Sequence, residues 1–279
     1  MKKTRLSLRI KEFKYSSNSN FRLRNIDMHI NEGEFISILG ANGSGKTTLL
    51  KIMDGLIKEF EGEVLLDGEN IRKLTPKQIY SKIGLLFQNP EEQLFASTVY
   101  EDVSFGPLNM GFSEEETRKR VLEALKILEM ESLFDAPINA LSYGQKKRIA
   151  IAGLLAMGHE ILLLDEPTLG LDPAGEKNFM NLIKALNTEK GVTVVMTTHN
   201  VDIVPLYAER IYILHQGHIA YRGTPKEIFT SSKKMEELKL RLPYVSEVIY
   251  RMKTRNSECF ETLPLTVDEA VEEMEKDCV

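Results

Sequence analysis

The sequence predicts an α/β fold: a mixed sheet core, a helical insert subdomain within it and a small C-terminal helical extension. Three observations predict it. Apolar runs of strand length, such as Phe35-Ile36-Ser37-Ile38-Leu39 and Ile161-Leu162-Leu163-Leu164, alternate with segments of helical period. The first run empties through a glycine-rich turn into a helix. The second empties onto Asp165 and Glu166, which puts charge at the carboxyl edge of a sheet, where α/β folds bind ligands.

Taken in order, Leu6 to Ile10 and Ile26 to Ile30 alternate like half-buried strands, with Tyr15 and a polar loop, Ser16 to Asn20, between them. After the glycine turn, Thr48 to Met53 continues as a helix. Gly62 to Asp67 reads as a strand ending in the turn Asp67-Gly68, and Ile83 to Phe87 as a buried strand ending at Gln88. Asn89 to Pro107 reads as loop. Ser113 opens a helix with Glu116 completing a capping box, and Val121, Leu122, Leu125 and Leu128 form its apolar stripe. A helical insert of about 89–140 results.

Ser142 has N-cap chemistry for a helix from Gln145 to Met157. Alternation resumes with the strand Ile161 to Asp165, the helix Ala174 to Leu186 and the strand Thr193 to Thr198. Arg210 to Leu214 and His218 to Tyr221 make a hairpin around Gln216-Gly217. In the tail, Pro243 takes a first-turn position before Val245, Val248, Ile249 and Met252 at helical spacing. Thr266 and Glu269 make a capping box before Val267, Ala270, Val271 and Met274 on one face.

Composition narrows the class. With 279 residues, the chain has room for one large domain and an extension. A formal charge of −5 argues against a dedicated nucleic-acid binder. No apolar run approaches the roughly 20 residues that span a bilayer. The alternation that follows Met1-Lys2-Lys3-Thr4-Arg5 is not a secretory signal. Cys259 and Cys278 have no metal-ligand spacing and fit a reducing cytoplasm.

The glycine turn is Gly40-Ala41-Asn42-Gly43-Ser44-Gly45-Lys46-Thr47-Thr48, the phosphate-binding pattern G-x-x-x-x-G-K-[ST] between a strand and a helix. Glycines let successive N–H groups converge on one anion, and the helix aims its N-terminal dipole at the same spot. Lys46 is expected to reach the β- and γ-phosphates as an exposed point charge, so its loss should cost little stability; the Thr47 hydroxyl is expected to ligate Mg²⁺. Asp165 then holds Mg²⁺ through its water shell, and Glu166 is placed to polarise water as a general base. Leu141-Ser142-Tyr143-Gly144-Gln145 creates a second anion-seeking helix end far from the first.

Together these motifs resemble the ATP-binding cassette (ABC) ATPases, a P-loop NTPase class, over residues 4–230, with 231–279 as extension. The resemblance implies roles. Tyr15 is similar to the adenine-stacking aromatic, Gln88 to the Q-loop glutamine near catalysis and metal, and Leu141 to Gln145 to the signature. Gly170-Leu171-Asp172 is similar to the D-loop and His199 to the γ-phosphate-sensing switch histidine. In that family the signature of one subunit closes over ATP held by the P-loop of another. Tyr143 departs from the family, which has glycine there, and is costly if the position needs positive φ.

Gln88-Asn89-Pro90-Glu91-Glu92-Gln93-Leu94-Phe95 and Thr98 to Pro107 resemble the energy-coupling-factor (ECF) subgroup, importers of vitamins and of cobalt or nickel. The resemblance implies an ATPase peripheral to the cytoplasmic face of the cell membrane. Its partners would be a second ATPase subunit, identical or not, a transmembrane coupling component and a membrane substrate-binding component. Leu94, Phe95 and Phe105 are expected at the surface in part, ringed by Glu91, Glu92 and Asp102. The tail helices either pair two ATPases or pack on their own domain. The rivals are an ABC ATPase of another transporter type, a non-transport ABC ATPase, and a P-loop kinase.

Overall fold

The fold is that of a computed structural model, which describes residues 3–16, 21–255 and 263–277. Both cysteines and residues 17–20 of the polar loop lie outside the described residues. The strands are β1 (Thr4–Phe13), β2 (Leu23–Asn31), β3 (Phe35–Leu39), β4 (Glu61–Leu66), β5 (Glu69–Asn70), β6 (Ile83–Leu86), β7 (Ile161–Asp165), β8 (Thr193–Thr198), β9 (Arg210–His215) and β10 (His218–Gly223). The helices are α1 (Lys46–Met53), α2 (Pro76–Tyr80), α3 (Val99–Met110), α4 (Glu114–Ile127), α5 (Tyr143–Met157), α6 (Pro173–Lys190), α7 (Val204–Tyr207), α8 (Pro225–Ile228), α9 (Ser232–Glu237), α10 (Tyr244–Arg255) and α11 (Val267–Asp277).

Two sheets result. An antiparallel sheet runs β2-β1-β4-β5; a mixed sheet runs β10-β9-β3-β8-β7-β6, parallel except for the β9–β10 hairpin. Successive side chains on a strand point to opposite faces, so the buried strands of the mixed sheet feed two cores. Ile36, Ile38, Leu163 and Val195 join α1 and the antiparallel sheet. Phe35, Leu39, Leu162, Leu164, Val194 and Met196 join the insert and α5–α6. The registers Leu39↔Thr198 and Asp165↔Thr197 bring the carboxyl ends of β3, β7 and β8 to one edge. Three loops therefore open side by side: that of Gly40, that of Glu166 and that of His199.

The insert departs from its expected form in three respects. Residues 99–110 form a helix, not loop: Thr98 and Glu101 complete a capping box, and Gly111 closes it at φ +92°. Pro107 hides this in the sequence, but it sits near the helix end, where few backbone bonds are lost. Gly106 allows α3 to lie against Met157 of α5, whose Sδ would be 2.4 Å from an added Cβ. On α4, Ser113 Oγ accepts from the Glu116 N–H, but the Glu116 carboxylate turns to Arg120, so the box is half made. Val121, Ala124, Leu125 and Leu128 are buried at helical spacing; Leu122 falls off that spacing and is exposed.

The tail packs on the cassette. Met235, Leu238, Leu242 and Leu265 join the insert-side core. Asp202, three residues beyond His199, ion-pairs with Arg241 and accepts the Tyr244 N–H at 2.7 Å, which starts α10. Ile249 and Ala270 are buried, whereas Val248, Met252, Val267, Val271 and Met274 remain exposed. Glu269 Oε2 accepts from the Leu265 N–H, one residue before the cap its sequence suggested.

Candidate active site

The loop after β3 is shaped by what it excludes. A Cβ at Gly40 would meet the Leu214 carbonyl oxygen at 2.4 Å, and Gly45, the N-cap of α1, has φ +109° with Phe21 and Leu23 closing in. No side chain caps α1 and no acid stands in its first turn, so its positive end is left for an anion. Buried Ser44 Oγ has no partner beside it, as a cradle for a polar ligand requires.

Five functional side chains, of Lys46, Thr47, Asp165, Glu166 and His199, meet at the strand ends. Lys46 is 7% exposed, not the exposed point charge expected. Its Nζ donates to the Gly40 carbonyl at 2.8 Å and lies 3.2 Å from Glu166 Oε1. The Thr47 hydroxyl donates to Asp165 Oδ2 at 2.7 Å, while Asp165 Oδ1 accepts from Thr197 Oγ1 at 2.6 Å. Glu166 Oε2 lies 2.9 Å from His199 Nδ1. The carboxylate is thus held between a cation and an imidazole, 8% exposed.

The backbone of Glu166 is left-handed at φ +46°, a conformation that costs a non-glycine residue about 1–3 kcal/mol. Its N–H donates to the Thr197 carbonyl at 3.2 Å and to Thr197 Oγ1 at 3.1 Å. From behind, Lys147 of α5 donates to the carbonyls of Pro167 at 2.8 Å and Leu169 at 2.7 Å. Burial pulls the Lys147 ammonium down to about 8, against the opposing pull of the Glu166 charge.

Lys46, Thr47, Glu166 and His199 line a cavity of about 620 Å³ with Tyr15, Phe21, Asn42, Gly43, Gly45, Thr48, Gln88 and Leu169, whereas Asp165 and Lys147 are not part of its wall. Tyr15 is exposed, packs edge-on to Phe13 at 4.9 Å between ring centres, and shares a hydrogen bond of 2.9 Å with Thr48 Oγ1. Phe21 stands 6.1 Å from Tyr15, so two rings flank the cavity mouth where sequence reasoning found one. Its place, directly after the polar loop and before a strand, was the available signal.

Ser142, Gly144, Gln145 and Asp172 are not in this cavity. Ser142 and Gln145 form a reciprocal capping box on α5, and Asp172 caps α6 by accepting from the Gly175 N–H at 2.6 Å. Tyr143 is the first residue of α5 and is not among the positive-φ residues, so the condition under which a side chain there would be costly is not met. Its hydroxyl donates to the Gln88 carbonyl at 3.3 Å.

The family description "ABC transporter" matches residues 23–169. The energy-coupling factor transporter ATP-binding protein EcfA of Methanocaldococcus jannaschii is 47% identical over 229 residues, 81% of this chain and 82% of its own. The solved structure of cbiO1 from Clostridium perfringens, described as part of the ABC transporter complex cbiONQ, is 40% identical with a TM-score of 0.76, covering 89% of this chain and 99% of its own. A dimeric ATP-binding cassette in a post-hydrolysis state, bound to ADP and Pi, is 36% identical with a TM-score of 0.71, covering 79% of this chain and 98% of its own.

Proposed function

We propose that this chain, which belongs to the ABC transporter family and is an ATPase similar to ECF ATP-binding proteins, powers import of a metal ion (cobalt or nickel) or a vitamin. The observation that carries the chemistry is Glu166 held between Lys46 and His199 beside the phosphate loop. Tyr15 and Phe21 flank the purine; the amides of 40–48 and Lys46 take the triphosphate. When Lys46 turns to phosphate it releases Glu166, whose carboxylate then orients water as general base, with His199 fixing its second oxygen. A hydroxyl and a carboxylate 2.7 Å apart, Thr47 and Asp165, form a hard-oxygen pair that fits Mg²⁺, with Gln88 at the cavity wall. Bound there, the metal would neutralise phosphate charge.

Ser142, Gly144, Gln145 and Asp172, outside the cavity of their own chain, serve the ATP of a second ATPase subunit in a sandwich dimer. The exposed apolar faces of α10 and α11 are a further surface for that pairing. A transmembrane coupling component docks on the insert, and a separate membrane component captures the cargo. Among the described residues no helix is long and apolar enough to cross a membrane. In this reading the chain sits on the cytoplasmic face of the membrane, held by these partners.

The insert supplies the docking patch. Phe95 and Phe105 are 67% and 52% exposed and pack edge to face at 4.8 Å. Aromatic anchors inside a polar rim are how docking surfaces are made. Leu94 is 9% exposed and belongs to the core, so it is no part of the patch. Asp102 accepts from the Phe95 and Ala96 N–H groups and holds the turn that presents Phe95. Phe95→Asp with Phe105→Asp should abolish copurification with the membrane component and stop uptake, while soluble ATPase activity survives. Equal loss of ATPase, or full uptake with retained copurification, would sink the transport reading.

A further inference from the structure

An ammonium taken out of water is costly unless acceptors surround it. Lys147 is fully buried, and its acceptors all belong to one short stretch of backbone: the carbonyls of Pro167 and Leu169, with that of Glu166 at 3.4 Å. That stretch begins at the left-handed Glu166, a conformation that persists only where its surroundings over-determine it. One turn earlier on α5, the Tyr143 ring lies 5.4 Å from the ammonium. The same ring fills the space above Gly170, where an added Cβ would be 2.7 Å from it, and its hydroxyl reaches the Gln88 carbonyl. The first two turns of α5 therefore grip residues 166–170 of their own chain.

We propose that Lys147 is a positioning residue for hydrolysis: by gathering the carbonyls that follow Glu166, it fixes the backbone that aims the Glu166 carboxylate. The inference rests on the reading of Glu166 as general base. It has a consequence for a dimer. The helix that offers its N-terminus to the partner's ATP is the helix that holds the base at its own, so the two sites share one rigid part.

The test measures kcat and KM for ATP with the full chain, for Lys147→Met and Lys147→Gln, each alone and with Glu166→Gln. Methionine keeps the length of the side chain and removes the donors; glutamine keeps two. The expected result for methionine is a kcat on the order of 100-fold lower, the cost of a slightly misplaced group, at unchanged KM. Glutamine should recover part of the loss. With Glu166→Gln already present, neither change should lower the residual rate further, since coupled residues are non-additive. If methionine abolishes the thermal transition, the glutamine variant decides. Wild-type kcat in both Lys147 variants, with Glu166→Gln stalled, overturns the proposal and leaves the base assignment standing. Equal losses in both backgrounds with a raised KM overturn it too, and make Lys147 a fold residue only. Wild-type turnover by Glu166→Gln removes the base assignment, and the proposal with it.

Discussion

Lys46→Ala should lower stability as well as abolish turnover, because the side chain is enclosed and paired before any nucleotide arrives. The change deletes a 3.2 Å ion pair to Glu166 and a 2.8 Å bond to the Gly40 carbonyl. Removing one partner of a buried pair costs about 3–5 kcal/mol. Here Glu166 keeps His199 at 2.9 Å and borders an open cavity, so the loss is nearer that of a charged hydrogen bond, about 1.5–3 kcal/mol. For a domain of this size that is a fall in melting temperature of roughly 3–12 °C. The assay is thermal unfolding of the nucleotide-free protein, repeated with saturating ATP and Mg²⁺. Wild type should gain about 2.7 kcal/mol at a hundred-fold excess over Kd, and the variant should gain little. Adding Glu166→Gln to Lys46→Ala removes the stranded carboxylate and should restore part of the nucleotide-free stability. An unchanged nucleotide-free melting temperature would refute the enclosed pair; an unchanged ATP response with full activity would refute the phosphate-loop assignment.

Glu166→Gln alone should keep nucleotide affinity and stall hydrolysis, since glutamine is nearly isosteric but neither accepts a proton nor carries charge. ATP should then trap a dimer on size exclusion, and wild-type turnover would shift the base elsewhere. His159 predicts an acid dependence of stability. Burial, the largest cause, pulls it below its ordinary 6.5, against the backbone bonds to Tyr80 and Leu154. The unfolded chain therefore takes up a proton near pH 6.5 while the folded one resists, so stability is full above that pH and declines as pH falls below it. Denaturant midpoints at pH 7.5 and 5.5 should differ less in His159→Gln than in wild type; equal differences would exclude His159 as the source.

The phosphate loop and the strand ends were legible because few backbones satisfy them. A buried strand, a turn with positive φ and a helix start leave little choice of residue, and Gly40, Gly45, Lys46 and Thr47 stand where that geometry requires. The acids at the end of β7, Asp165 within it and Glu166 just past it, were legible for the same reason. What stayed hidden was which charge goes inside. Lys146, Lys147 and Arg148 are three consecutive cations in the sequence. The helix turns about 100° per residue, so Lys146 meets Glu91 at the surface, Lys147 is buried and Arg148 reaches the Leu128 carbonyl. No local pattern separates the three, because the acceptors of Lys147 lie some twenty positions away in sequence. Helix α3 was masked by its late Pro107, and Phe21 became a site residue only once β2 set it opposite Tyr15.

The pairing of β6 with β7, from Ile83↔Ile161 to Leu86↔Leu164, has a consequence for how such a chain can diversify. Everything between Phe87 and Glu160 leaves the sheet and returns to it through two neighbouring strands, so the whole excursion is anchored at one seam. Lengthening a loop there costs little entropy, about 0.6 kcal/mol per doubling, and leaves the alignment of Asp165 with Thr197 untouched. The surface proposed to meet a membrane partner can thus be rebuilt by insertion and substitution while the hydrolytic groups keep their register. The parts of the excursion without that freedom are Gln88, at the cavity wall, and α5, whose Lys147 and Tyr143 reach back to the strand ends. The exposed Phe95–Phe105 pair can change while the chemistry is inherited unchanged.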